Sequence, residues 1–120
     1  RFYRDMIARS NTDLQVNTAF SYFNNRLKQN DMRGSIEVRD QAILVFKESE
    51  NFILVYEYDG YLVEQNSLDD EVQNDAAQRI ARVSDVRFEA KGHFVIVTFK
   101  DVDGEIHTIS YALLSEGATS

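Results

Sequence analysis

The sequence predicts an α+β domain in which an N-terminal amphipathic helix packs on an antiparallel β-sheet. Three observations predict it. Val16, Phe20, Phe23 and Leu27 recur at spacings of four, three and four, drawing one apolar stripe along a helix. After Gly34 the period changes to short apolar runs and to alternation of apolar with charged residues, the pattern of strands. Single glycines, at Asp59-Gly60, Lys91-Gly92 and Asp103-Gly104, then punctuate those runs as turns do.

Taken in order, Phe2, Tyr3, Met6 and Ile7 also fit a helix, and the polar run Arg9 to Asp13 interrupts the stripe. Thr12 with Gln15 has the spacing of a capping box, so a second helix start at Thr12 competes with one continuous helix, and continuity is the reading adopted. Asn30, Asp31 and Gly34 close the helix, because glycine readily takes the left-handed geometry that follows a last turn. Ile36 and Val38 alternate with charges. Ala42 to Phe46 and Phe52 to Tyr56 are continuous apolar runs, and the first is apolar on both sides, as expected of a central strand covered on both faces. Asp59-Gly60 supplies the positive backbone angles of a tight hairpin. Leu68, Val72, Ala76 and Ile80, after a Ser67 cap, predict a short second helix at about 68–80. Strands are expected near 85–90, 93–100 and 105–113. In the first, Val86, Phe88 and Ala90 alternate with polar residues, whereas Phe94 to Val97 is apolar on both sides. One sheet with a helix on one face leaves the other face to be covered by a curl of the sheet, by the 66–82 connection or by a partner.

A chain of 120 residues with 43% hydrophobic content is one domain, divided into a helical stem (1–33) and a sheet head (34–120). The absence of cysteine excludes disulfide scaffolds, thiolate metal sites and cysteine nucleophiles. No run approaches the roughly 20 apolar residues that cross a bilayer. The start at Arg1 rather than methionine carries the expectation of an upstream segment. Charge is uneven: residues 1–39 hold seven Lys/Arg against four Asp/Glu, net +3, and residues 40–120 hold six against sixteen, net −10. An acidic body repels phosphate backbones, so nucleic acid is not an expected partner. The basic start, with Arg1, Arg4 and Arg9, suits an anionic surface or an acidic neighbour, or simply a solvated helix face.

Candidate chemistry is sparse. Asp101, Asp103, Gly104 and Glu105 resemble the opening of a calcium loop, since hard cations take several oxygen ligands, but the remaining ligands are missing and a hairpin turn accounts for them. Asp69, Asp70 and Glu71 offer paired carboxylates that a polar connection would leave in water. His93 and His107 have neither a third metal ligand nor a serine partner. No phosphate-cradling loop exists, because no two glycines lie closer than twelve residues. The expectation is therefore a non-enzyme, with no catalytic, cofactor-binding or metal residues assigned and no cofactor.

The segments TAFSYFNNRLKQND (Thr18 to Asp31), Ala42 to Phe46 and YEYDGYLVEQ (Tyr56 to Gln65) resemble an uncharacterised prepilin-like family of Gram-positive bacteria. The later string VSDVRFEAKGHFVIVTFKDVDGEIHTISY (Val83 to Tyr111) is similar to the end of minor pseudopilins of competence and type II secretion systems. The cleavage motif and apolar helix of a pilin do not occur in these 120 residues. The resemblance implies a pilin-like fold and a structural role in a cell-surface filament or a secretion or competence apparatus. It also implies pilin-like subunits as partners, and membrane anchoring through an N-terminal helix outside this sequence. A cell-surface ligand-binding module, with Phe46, Tyr56, Tyr58 and Phe99 lining a concavity, is the alternative.

Overall fold

The computed structural model describes the backbone of residues 2–31 and 35–114 and the side chains of residues 11–31 and 35–114. Helix α1 (Phe2–Gln29) is followed by β1 (Ile36–Arg39), β2 (Ile43–Lys47), β3 (Phe52–Tyr58), β4 (Tyr61–Ser67) and a 3₁₀ turn at Asn74–Ala76. The chain then forms β5 (Ala77–Ala81), β6 (Ser84–Lys91), β7 (Phe94–Lys100) and β8 (Ile106–Ala112). These strands make two antiparallel meanders, β1-β2-β3-β4-β5 and β6-β7-β8.

This overturns the predicted fold class. The body is predominantly antiparallel β, in two sheets of five and three strands rather than one, with a single helix. The helix at about 68–80 does not form. Leu68 is almost fully exposed, only Asn74–Ala76 makes a helical turn, and Ala77–Ala81 pairs with β4 through Gln65↔Ala77 and Val63↔Arg79. The four-residue spacing was a weak local preference, and cross-strand pairing with the long β4 outweighs it.

Helix α1 is continuous through the polar run. Thr12 and Gln15, which mimic a capping box, reach the body instead: Thr12 Oγ1 donates to Asp103 Oδ2 at 3.1 Å, and Gln15 Oε1 accepts the Arg82 N–H at 2.7 Å. Asn30 ends the last turn, both its backbone N–H and its side-chain amide donating to Arg26 O. Gly34, the expected terminator, lies outside the described residues, as do the side chains of Phe2, Tyr3, Met6, Ile7 and the arginines of the basic start.

Of the stripe residues Val16, Phe23 and Leu27 are buried and Phe20 is half-buried, with the neighbouring Ala19 buried beside them, but not across the face of a single platform. The helix touches β5, the edge of the large sheet, and β8, the edge of the small one, and so closes the open side between them. Strand β6 approaches β1, β2, β3 and β4 in turn, which means that the small sheet crosses the large one. Between them lies one core: Leu44, Phe46, Ile53, Val55 and Leu62 from one inner face meet Val86, Phe88, Val95, Val97 and Phe99 from the other. Phe23 stands edge-on to Phe88 with ring centroids 5.9 Å apart, joining helix to small sheet.

The outer face of the large sheet holds a second, smaller core of Val45, Leu54, Tyr56 and Val63. The predicted double covering of β2 is thus observed, β3 shares it, and the 66–77 connection provides the outer layer. It does not hold for β7, whose Val95 and Val97 are buried while Phe94 faces solvent at 46% exposure. Asp59-Gly60 forms the expected hairpin, both residues with positive φ (54° and 78°) between Tyr58 and Tyr61. Asp40 and Gln41 adopt the same geometry without glycine, and Gln41 O accepts the Phe88 N–H at 2.9 Å, splicing the β1–β2 turn to β6.

Candidate functional site

Three polar constellations hold the outer layers onto the core. At the β7–β8 hairpin, Asp101 organises a turn closed by Gly104 N–H to Asp101 O at 3.0 Å, with Gly104 at φ 85°. Asp101 Oδ1 accepts the backbone N–H groups of Asp103 (2.8 Å) and Glu105 (3.1 Å), and Oδ2 lies 2.8 Å from His107 Nε2. The His107 ring stacks on Phe99 at 5.5 Å and meets Phe20 of α1 edge-on at 6.0 Å. Burial alone would raise the Asp101 pKa; the hydrogen bond with His107, followed by the Glu105 and Asp103 N–H groups, outweighs it and holds the carboxyl below its ordinary 3.8. With Thr12 on Asp103, the helix is latched to this hairpin at two points.

At the other side of α1, the Tyr22 hydroxyl donates to Glu64 Oε2 on β4, and Arg26 Nη2 donates to the same oxygen at 2.8 Å. Burial, then the bond to Glu64, pushes the Tyr22 hydroxyl far above its ordinary range, so it remains a donor. On the outer face, the buried Gln65 carboxamide donates to Ser67 Oγ (2.8 Å) and Glu71 O (2.7 Å) and accepts the Gln73 N–H (2.7 Å). Arg39 on β1 binds both the carbonyl and the carboxylate of Asp70. The 66–77 connection is thereby strapped across the sheet from β4 to β1.

These bonds account for the sequence-predicted candidates. Asp101, Asp103 and Glu105 do sit in a hairpin turn. Donor atoms of Asp101, Glu105 and His107 lie within 4.8 Å of one another, a spacing compatible with a cation, but the described oxygens of Asp101 are already engaged by N–H donors and by the histidine. Sequence reasoning did not join His107 to this group; the six-residue offset across a hairpin was the available signal. Asp69, Asp70 and Glu71 are not a carboxylate pair. Asp70 is bound to Arg39, and Asp69 Oδ1 accepts the Glu71 N–H at 3.2 Å. His93, in the β6–β7 turn, lies at the end of the small sheet opposite His107, because β7 pairs Phe94 with Ala112 and Phe99 with His107. Phe46 and Phe99 belong to the main core, Tyr56 to the outer one, and Tyr58 is exposed, so the four aromatics share no concavity. Depressions of about 380 Å³ beside Asp40, Gln41 and Glu89, and of about 230 Å³ beside Gly60, Arg82 and Asp101, are found elsewhere.

Among the described residues, no helix is long and apolar enough to cross a membrane. A family profile described as Domain of unknown function (DUF4860) matches residues 14–102, from within α1 to just past β7. No curated protein and no solved structure matches the chain.

Proposed function

The chain belongs to the family described as Domain of unknown function (DUF4860), and from that premise we propose that it is a structural assembly domain, the head of a minor-pseudopilin-like subunit of a cell-surface filament or a secretion or competence apparatus. The resemblance bears on function and on the helix-then-hairpins order; the single-sheet fold it implied is set aside. The observation that supports the reading is the reach of α1. At a rise of about 1.5 Å per residue its 28 residues span about 42 Å. Its described part is latched to both sheets, through Tyr22 and Arg26 on Glu64 of β4 and through Thr12 on Asp103 of the β7–β8 hairpin. A helix so held passes force and orientation from a stem to a head. In this reading the partners are other pilin-like subunits, and the membrane is reached through an apolar helix upstream of Arg1.

The test uses the full-length protein in its native cell. These 120 residues contain no cysteine, so Leu14→Cys, at a position 59% exposed, adds a thiol of known place, and the unsubstituted full-length protein is the control. Recovery in the cell-envelope fraction with cysteine-dependent cross-links to pilin-like proteins is the expected result. A freely soluble protein without such cross-links overturns the proposal.

A further inference from the structure

Each sheet of this fold ends in two edge strands, and three of the four are guarded. β1 carries Glu37 and Arg39, engaged with Lys47 and Asp70. β5 is flanked by α1 through Gln15 and the Arg82 N–H. β6 departs from regular register between Ser84 and Arg87, where Asp85 has φ 50°, and bears Arg87, Glu89 and Lys91. Charges and bulges of this kind prevent edge-to-edge pairing. β8 has neither. Its sequence IHTISYA holds no Lys, Arg, Asp, Glu or Pro, and its seven residues pair with β7 in unbroken register.

The direction of its free hydrogen-bonding groups follows from that register. Leu113 N–H donates to His93 O, so His107, Ile109 and Tyr111 direct their backbone groups at β7, and those of Ile106, Thr108, Ser110 and Ala112 point to the open edge. The side chains of those same four residues are exposed on the outer face, while His107, Ile109 and Tyr111 are half-buried against α1 and the core.

We propose that β8 pairs antiparallel with β8 of a second copy of this chain, about a two-fold axis at Ile109, joining two three-stranded sheets into one of six. This register is self-complementary. It sets Ile106 against Ala112 and Thr108 against Ser110 of the second copy, all four with outward N–H and C=O groups, giving about eight inter-chain hydrogen bonds. No like charges face each other, and Thr–Ser is a favourable cross-strand pair. Leu114, 98% exposed, and Val102 extend from the two ends of the hairpin and fall near each other across the axis, beside Ile106. A second copy therefore covers three of the exposed large apolar side chains of the described residues. The pairing deepens the assembly reading by naming a contact surface, and rests on that reading for its role in the cell.

The 120-residue protein is followed by analytical ultracentrifugation from about 1 µM to about 1 mM. Wild type is expected to dimerise reversibly. Thr108→Lys with Ser110→Lys sets lysine against lysine and should weaken the dimer at least tenfold, and Thr108→Lys with Ser110→Glu should restore it, since the same register then sets lysine against glutamate. A monomer throughout, an unaffected lysine variant or a failed restoration each overturns the proposal. Should a charged variant not fold by circular dichroism, mixing the Thr108→Cys protein with the Ser110→Cys protein decides. The two introduced thiols then sit on directly paired positions about 5.5 Å apart between Cα atoms and should form a mixed disulfide, whereas two copies of the Thr108→Cys protein place theirs beyond bridging distance. Absence of the mixed species overturns the register. A monomeric domain whose full-length form still cross-links through Leu14→Cys removes this pairing and leaves the assembly reading standing; a β8 dimer in a protein free in the cell does the reverse.

Discussion

Asp101 shows how one carboxylate can serve both a turn and a helix. Its oxygens hold the Asp103 and Glu105 N–H groups on one side and His107 on the other, and His107 in turn packs against Phe20. Since the folded-state pKa lies below the ordinary value, the unfolded chain binds the proton more readily than the folded one. The stability this supplies is fully present above pH 3.8 and is lost as pH falls below it through the depressed folded value. Asp101→Asn should cost about 1 kcal/mol or more at neutral pH, as hydrogen bonds to a charged acceptor are weakened. The loss of stability in acid should also be shallower in the variant. Urea unfolding at pH 7, 4 and 3 measures both; parallel pH dependences for the two proteins would exclude the carboxylate as the source. At this scale much was legible: Asp-x-Asp-Gly reads as a turn in sequence. His107 was less so: its six-residue offset was the only local signal, and the pairing of β7 with β8 is what sets its ring against Asp101.

Among the elements, the 66–77 strap is the least expected. It is held by polar contacts at both ends, Gln65 near β4 and Arg39 on β1, and it shields Val45 and Leu54 without burying Leu68. A buried carboxamide with four partners, Tyr56, Ser67, Glu71 and Gln73, is costly to truncate, because the Gln73 N–H and Glu71 C=O lose their partner within a desolvated layer. Gln65→Ala should destabilise by about 1–3 kcal/mol. Its local signature is faster amide exchange over residues 71–73 and easier proteolysis of the strap, with β6–β8 unchanged, as read by hydrogen-exchange mass spectrometry. Equal exchange in the two sheets would show that the strap has no separate opening. The sequence hid this element behind apolar residues at four-residue intervals; a helix there would leave Gln65 unsatisfied and β4 without its neighbour.

On the scale of the whole molecule, α1 is the piece that makes two crossed sheets into one core. Phe23 reaches Phe88, and Tyr22 with Arg26 grips Glu64, so a single turn of helix touches both sheets. Phe23→Ala should cost about 3–5 kcal/mol, a large part of the stability of a domain this size. Leu14→Ala, on the exposed side of the same helix, should stay within about 0.5 kcal/mol. Chemical denaturation followed by circular dichroism distinguishes the two; a small loss for Phe23→Ala would mean that the sheets cohere without the helix.

By itself the sequence determined the helix, its buried stripe, the hairpin turns at Asp59-Gly60, Lys91-Gly92 and Asp103-Gly104, and strands at 85–90, 93–100 and 105–113, because each depends on a period or on a backbone angle set within a few residues. Only the tertiary structure decided that the strands divide into two sheets, that β5 replaces a helix, and that α1 wedges between edges rather than lying on a face. Those outcomes depend on which apolar face meets which, and on where a buried Gln65 or Glu64 finds its partners. Such pairings join residues tens of positions apart and leave no periodic trace in the chain.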